Sequence, residues 1–448
     1  MAFVDAVLAN SEARVVLVDR RHRPGGHWLD AYPFVQLHQP SANYGVPSRR
    51  LGDDRIDETG PNAGFYERAP ANEICNYYSD VLDEDFVPSG RVQFLGMHDY
   101  RGVDNDGHQV VSLLTGKTTT IRARRLVDAT YVESEIPSRH PPAYDVDPDV
   151  RVIPPNDLVN LDAAPNRFTV VGAGKTAMDT CVWLLDSGVN PDTIRWIRPR
   201  DPWMFTRSFQ QPLELVASYM EMQARWVEAT CVATDGPGFA RRLEASGVLT
   251  RIDPAVEPTV FRGPIISERE IDQLRTIERV VRRGHVRRIA ADRILFEDGD
   301  LDARRDEVYV DCTAAGVRPR PRTPVFAPDR ITLQYLFVGI VPWSAATIGR
   351  VEASRDDDRE KNRLCPPVKF SGYPADMLEL AYGAMTGLFA RGAEPDLAAW
   401  TEGCRLNPAM GAVARASEPA IADAFVRMAS NIDAAMTNLA ARVSAGGS

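Results

Sequence analysis

Phe3, Val4, Val7 and Leu8 recur at helical spacing, and Arg14-Val-Val-Leu-Val-Asp19 follows as a short apolar run that ends in an acid. The pattern predicts a helix and then a strand. Further on, Phe168-Thr-Val-Val predicts a buried strand, a glycine-rich break follows it, and Cys181, Val182, Leu184 and Leu185 predict the helix beyond. Thr193-Ile-Arg-Trp-Ile-Arg198 predicts the next strand. Two polar, β-rich stretches each close on a similar strand, Arg125-Leu-Val-Asp-Ala-Thr130 and Val308-Tyr-Val-Asp-Cys-Thr313, as expected of two meanders that return to two parent sheets. Residues 209–228 and 268–283 read as helices. From residue 374 the apolar spacing predicts a mostly helical region in three segments punctuated by Pro and Gly. This alternation of strands and helices belongs to the α/β class.

The glycine-rich break is Gly172-Ala-Gly-Lys-Thr-Ala177, a G-x-G-x-x-A loop in the strand–loop–helix context that a dinucleotide-binding motif requires. Gly172 would permit the tight turn and Gly174 would let a pyrophosphate approach the backbone. Small Ala177 would let the helix pack close to the strand. Lys175 and Thr176 open that helix, whose N-terminus favours phosphate. The following strand ends in Arg198, Pro199 and Arg200, where an NAD-selective site places an acid. Guanidinium groups there suit the 2′-phosphate of NADP. Solvated surface arginines fit the same residues, and Asp201 keeps a dual preference open.

Asp19, at the tip of its strand beside Arg20, matches the acid that accepts hydrogen bonds from an adenosine ribose about 20 residues after a glycine loop. Counting back from Asp19 places that loop before Met1. The sequence is therefore expected to enter its first dinucleotide fold inside the first helix, without the first strand and its phosphate-binding glycines. That strand is central, and its neighbours on both sides would lose hydrogen-bonding partners. The alternative is an unrelated helix and strand that precede an aspartate.

Next come Arg23-Pro-Gly-Gly-His-Trp28 and Tyr32-Pro-Phe-Val-Gln-Leu-His-Gln-Pro-Ser41. Here the chain resembles the flavin-dependent monooxygenases of the flavin-containing and Baeyer–Villiger group, in which a G-G-x-W segment follows the ribose-binding acid and packs along FAD. The resemblance covers roughly residues 1–350 and is strongest at 14–45 and 168–200. It implies that Gly25, Gly26, His27, Trp28, His38 and Gln39 lie along FAD. It also implies that Asp128, Ala129 and Thr130, in the place of an A-T-G-like segment, touch the cofactor where two domains join. Asp128-Ala-Thr-Tyr131 departs from that pattern in having no glycine, whereas Thr313-Ala-Ala-Gly316 keeps one. The F-x-G-x-x-x-H fingerprint of the group is replaced by Arg139-His-Pro-Pro-Ala-Tyr144 and Val152-Ile-Pro-Pro-Asn156.

Composition narrows the picture. The 448 residues suggest two or three domains, and 44% hydrophobic with 25% charged residues is the balance of a packed globular chain. A formal net charge of −10 argues against nucleic acid as a partner. The six cysteines form no C-x-x-C pair, which fits reduced cytoplasmic thiols and offers neither a redox disulfide nor a zinc cluster. The longest uncharged run, 331–348, contains Gln334 and Pro342 and reads as a buried strand and loop, so no membrane span is expected.

The expected organisation is two nested Rossmann-like dinucleotide-binding domains. Residues 1–160 are the first part of an FAD domain, 161–320 an NAD(P)H domain with a helical insertion, and 321–448 the return to the FAD domain with C-terminal helices. By resemblance, NADPH would reduce FAD, and reduced FAD with molecular oxygen would form a C4a-(hydro)peroxyflavin that oxygenates a small organic substrate, the protein keeping that intermediate dry. Two other readings stay open: a flavin oxidoreductase that inserts no oxygen, and a catalytically dead dinucleotide-binding protein. His38, Gln39 and Arg207 receive no catalytic role, and neither substrate nor oligomeric state is legible.

Overall fold

The computed structural model describes residues 1–446 apart from 305, 315, 317, 318 and 338. Ala315 of the Thr313-Ala-Ala-Gly316 segment and Val338 of the uncharged run lie outside these residues.

Helix α1 (Ala2–Asn10) and strand β1 (Val15–Val18) form as the pattern predicts. After α2 (Ala71–Asp80), β2 (Val92–Leu95) pairs parallel with β1. An antiparallel meander of β3 (His98–Val103), β4 (His108–Ser112) and β5 (Thr118–Ile121) then leads to β6 (Leu126–Asp128). Short β7 (Asp145–Val146) and β8 (Val152–Ile153) carry the chain to a second sheet. There β9 (Arg167–Val171) runs into α3 (Lys175–Asp186) and returns as β10 (Ile194–Ile197).

An inserted layer follows. It comprises β11 (Pro202–Thr206), α4 (Val216–Val232), α5 (Gly236–Ala245), β12 (Leu249–Thr250), β13 (Val260–Ile266) and α6 (Glu268–Arg275). The chain rejoins the second sheet as β14 (Val280–Val281). A second meander of β15 (Val286–Ile289), β16 (Arg293–Phe296) and β17 (Asp300–Asp302) ends in β18 (Glu307–Asp311). Finally β19 (Arg330–Thr332) pairs parallel with β6. The helices α7 (Val341–Ser354), α8 (Asp358–Leu364), α9 (Met377–Gly392), α10 (Pro395–Gly403) and α11 (Pro419–Gly446) complete an α/β chain.

The second sheet is parallel throughout, in the order β14-β10-β9-β18-β8. The first appears as two separate parallel pairs, β1-β2 and β19-β6. Each sheet thus receives its late strand, β6 or β18, from a three-stranded meander, so the repeated Leu-Val-Asp and Tyr-Val-Asp endings mark equivalent places.

The main core joins Phe3, Val4 and Val7 of α1 to Ile348 and Val351 of α7. The two helices cross closely at Gly349, where a Cβ would stand 2.5 Å from the Phe3 carbonyl oxygen. Long α11 covers the inserted layer through Leu439 against Trp226 and Ala229, and Arg427 pairs with Glu228 at 2.7 Å. Among the described residues no helix is long and apolar enough to cross a membrane.

Three expectations are corrected in detail. The helix expected at 209–228 begins only at Val216, because Pro212 interrupts the preceding turns. The one expected at 268–283 stops at Arg275, since the β-branched pair Val280-Val281 supplies the edge strand beside Trp196 and Ile197. The uncharged run at 331–348 becomes helix from Val341, with Pro342 in the first turn where a missing N–H is harmless.

Candidate nucleotide-binding site

The turn from β9 to α3 is fixed by packing beneath it. Gly172 has φ +132°, and a Cβ there would lie 2.7 Å from the Cys312 carbonyl oxygen at the end of β18. Its N–H donates to the Ile197 carbonyl at 3.0 Å, and its carbonyl accepts Trp196 Nε1–H at 2.8 Å. Gly174 is different. No atom lies within 4 Å of where its Cβ would be, and no side chain caps the helix it opens. The space is therefore open above the backbone at the positive end of a 12-residue helix, a geometry suited to a phosphate group. Ala177 is fully buried against the core beneath the sheet, and the Thr176 carbonyl accepts the Thr180 hydroxyl at 2.8 Å.

Lys175 turns inward. It is 9% exposed and pairs with Asp179 one helical turn on, with the Glu270 carboxylate at 3.7 Å. Asp179 also accepts the Tyr32 hydroxyl at 2.7 Å. Glu270 stands 2.7 Å from Arg207 and 3.9 Å from Arg68, and accepts the Ser267 N–H at 2.8 Å. Burial alone would raise the Glu270 carboxyl; Lys175, Arg207, Arg68 and the Ser267 N–H overcome it and hold the group at about 2. His38 shares this environment. Burial first, and then the Lys175 cation, lower its pKa to about 4, so the ring is neutral at pH 7. The cluster joins the 32–38 and 66–70 segments, α3, the end of β11 and α6 at one point. Next to it Phe34 stacks on Trp183, ring centroids 4.6 Å apart, and both line a cleft of about 460 Å³ whose other walls include Arg68, Asp179 and Glu270.

At the end of β10 the two arginines have separate situations. Arg198 is 2% exposed, pairs with Asp201 and lies 4.7 Å over the Trp196 ring. Its guanidinium is engaged inside the protein. Arg200 is half-exposed and donates to the Tyr373 hydroxyl at 3.3 Å.

Of the residues expected along FAD, Asp19 and Arg20 close β1 and the 25–28 turn follows them, whereas His38 sits with Lys175 and Asp179 instead. The Asp19 carboxylate accepts the Arg21 N–H at 2.9 Å, while Arg20 points outward to Asp99 at 2.8 Å. Gly25 and Gly26, with φ +135° and +56°, turn the chain into a short helical turn. On that turn His27 lies 4.8 Å from the Trp28 ring, and Trp28 Nε1–H donates to the Tyr44 hydroxyl at 2.7 Å. Burial and then Arg21 lower the His27 pKa to about 4. Gln39 donates to the Asn43 carbonyl at 3.1 Å. Asp128 accepts both the N–H and the hydroxyl of Thr130, at 2.9 and 2.8 Å, and pairs with Arg330, leaving Ala129 exposed. Asp311 holds Thr313 in the same way, at 3.2 and 2.7 Å.

Sequence reasoning missed Tyr32, Arg68, Asp179 and Glu270. The Lys175–Asp179 spacing and the Ser267-x-x-Glu270 capping box were readable as local helix signals. Nothing local showed that they meet.

No protein-family model matches the sequence. Among solved structures, the chain is similar to Tmm from Pelagibacter sp. strain HTCC7211, at 11% identity over 88% of this chain and 83% of that one, with a TM-score of 0.46. It is also similar to cyclohexanone monooxygenase from Rhodococcus sp. Phi1 bound to NADP+, at 15% identity over 87% and 83%, with a TM-score of 0.44. The uncharacterized proteins Rv2000 of Mycobacterium tuberculosis and Mb2023 of Mycobacterium bovis are 43% identical to it over 409 residues, 91% of this chain and 75% of theirs. At that identity across three quarters of the relatives' length, the chain belongs to the family of Rv2000 and Mb2023.

Proposed function

We propose that this chain is an NADPH-dependent oxidoreductase that works with FAD, and that it oxygenates a small organic substrate with molecular oxygen. The observation that carries the reading is the contrast between Gly172, wedged against Cys312, and Gly174, open at the uncapped start of α3. Packing within the protein requires Gly172 to lack a side chain, whereas nothing in the protein requires it of Gly174, and a pyrophosphate approaching the backbone at the helix start would supply the reason.

In this reading the first N–H groups of α3 hold the NADPH pyrophosphate. Arg200 meets the 2′-phosphate, since Arg198 is committed to Asp201 and Trp196. Lys175 orients the helix end through Asp179 and Glu270 rather than touching phosphate. Asp19 receives the FAD ribose, and the 25–28 turn lies along the flavin with His38 and Gln39 nearby. FAD, when bound, supplies the redox chemistry, and no side-chain nucleophile is required. Neutral His27 and His38 add no charge to the space they border. The aromatic cleft at Phe34 and Trp183 is the place for an apolar part of the substrate.

The residues fit the two cofactors unequally. The NADPH turn is whole, whereas the first sheet is divided between β1 and β6. That division favours a second reading, a dinucleotide-binding protein without flavin turnover; an oxidoreductase that inserts no oxygen fits the same residues. The test is to purify the chain, add FAD, and record the visible spectrum, NADPH binding and NADPH consumption, with products analysed for an inserted oxygen atom. A yellow protein that consumes NADPH and yields oxygenated product supports the first reading, and hydrogen peroxide alone supports the non-oxygenating one. A folded, colourless protein that binds NADPH supports the second. Failure to bind NADPH overturns all three.

A further inference from the structure

The buried cluster around Glu270 is not electrically balanced. Lys175, Arg68 and Arg207 bring three cations against the two carboxylates of Asp179 and Glu270. His38 responds to the excess, since after burial it is Lys175, Arg68 and Arg207 that push its pKa down against Asp179. Hydrogen bonding is incomplete as well. The Arg68 side chain is 8% exposed; its Nη1 donates to the Leu37 carbonyl at 3.2 Å, and its Nε has no partner among the described residues. Arg207 meets Glu270 through Nη2, while its Nε and Nη1 have no partner there either. Buried guanidinium N–H groups without an acceptor are costly, and a planar carboxylate is the group that matches their fork.

Arg68, Asp179 and Glu270 are the inner wall of the cleft of about 460 Å³, and Phe34 and Trp183 line it beside them. At its outer side stand Asp57 and Asp186, which accept N–H groups from Asn62 at 2.7 Å and Gln273 at 2.6 Å. Thr206 and Ser208, on either side of Arg207, line a second cleft of about 220 Å³, and Pro61 borders both. The loop that carries Pro61 is closed at its neck by the Asp57 N–H donating to the Phe65 carbonyl at 2.9 Å. Its tip meets α6 where Arg269 donates to the Gly60 carbonyl at 3.0 Å.

We propose that Arg68 and Arg207 form a carboxylate-binding subsite at the inner end of this cleft, and that its ligand is a small aromatic monocarboxylate. The carboxylate accepts the N–H groups that Arg68 and Arg207 leave unused and offsets the surplus positive charge. The aromatic body lies against Phe34 and Trp183, and the loop that carries Pro61 yields to admit the carboxylate as far as Arg207. Asp57 and Asp186 repel a second acid group at the outer side, which restricts the ligand to one. The inference rests on the reading of this cleft as the substrate's place and names the substrate class.

The test is titration calorimetry on the full chain with three probes: phenylacetate, the uncharged phenylacetamide of the same shape, and the diacid 1,4-phenylenediacetate. Binding is measured without FAD or NADPH, so a failure here leaves the cofactor reading standing, and a chain that binds neither cofactor leaves this one standing. Phenylacetate is expected to bind at least about tenfold more tightly than the amide or the diacid, and Arg68→Met and Arg207→Met should each weaken it about tenfold or more. Equal affinity for phenylacetate and phenylacetamide overturns the proposal. So does phenylacetate binding that persists in both variants, because the carboxylate would then lie elsewhere, as at the start of α3. Should a variant fail to fold, the comparison of the three probes on the unaltered chain still decides, and no preference for the monocarboxylate overturns the proposal.

Discussion

The Glu270 carboxylate stands 2.7 Å from the Arg207 guanidinium in a site where Arg207 is 1% exposed and Glu270 3%. Nε and Nη1 of Arg207 have no hydrogen-bond partner, so Glu270 is its main compensation. Glu270→Ala leaves Arg207, Arg68 and Lys175 facing one another without that anion. It is expected to cost about 3–5 kcal/mol in chemical denaturation, the range for breaking a buried pair. A loss below about 1 kcal/mol would mean that the pair contributes little.

The same carboxylate fixes an acid limit. Glu270 ionises at about 2 in the folded chain, and an unfolded glutamate does so near about 4.3. The depressed value means that its contribution is fully present above roughly pH 5 and is lost as pH falls toward 2. Glu270→Gln should flatten the low-pH limb of stability against pH.

His27 and His38 act in a higher window. Each ionises at about 4 when folded and near about 6.5 when unfolded, so the unfolded chain binds more protons between these values. Stability from these rings is complete above about pH 6.5 and is lost as pH falls to about 4. The His27→Gln, His38→Gln double variant should remove the slope in that interval. An unaltered slope would show that the rings are already protonated in the fold.

Gly172 and Gly174 should separate in their effects. Gly172→Ala places a methyl group against the Cys312 carbonyl at a positive φ, and should destabilise the chain by about 3 kcal/mol or more. Gly174→Ala meets nothing in the protein, so thermal stability should change little while NADPH affinity falls. Intact NADPH affinity in Gly174→Ala would remove the pyrophosphate from this loop.

Arg198 and Arg200 make a similar pair. Arg198→Ala strips a buried partner from Asp201 and should lower stability by about 2 kcal/mol without altering the preference between NADPH and NADH. Arg200→Ala should leave stability intact and reduce that preference about tenfold. Inhibition constants for the two nucleotides, measured alongside melting curves, decide it.

The sequence alone determined what local patterning can determine. Periodicity located α1, β1, β9, α3 and β10, because each is an amphipathic helix or a short apolar strand with its own start and stop. The Gly172-Ala-Gly174 turn was legible because a tight turn and a close approach demand residues without side chains. The Leu-Val-Asp and Tyr-Val-Asp endings showed that two meanders return to two sheets. At Val280-Val281 local reading failed, since a two-residue strand is specified by the edge it joins.

Only the tertiary structure decided how distant charges are spent. Arg198 and Arg200 look alike in sequence, yet one is sealed between Trp196 and Asp201 and the other faces outward. Lys175, directly after a phosphate-type turn, spends its charge on Asp179 and Glu270. Glu270 comes from a separate element, α6, and burial makes its attraction to Lys175, Arg207 and Arg68 strong enough to hold its own pKa down only after the chain has folded around it.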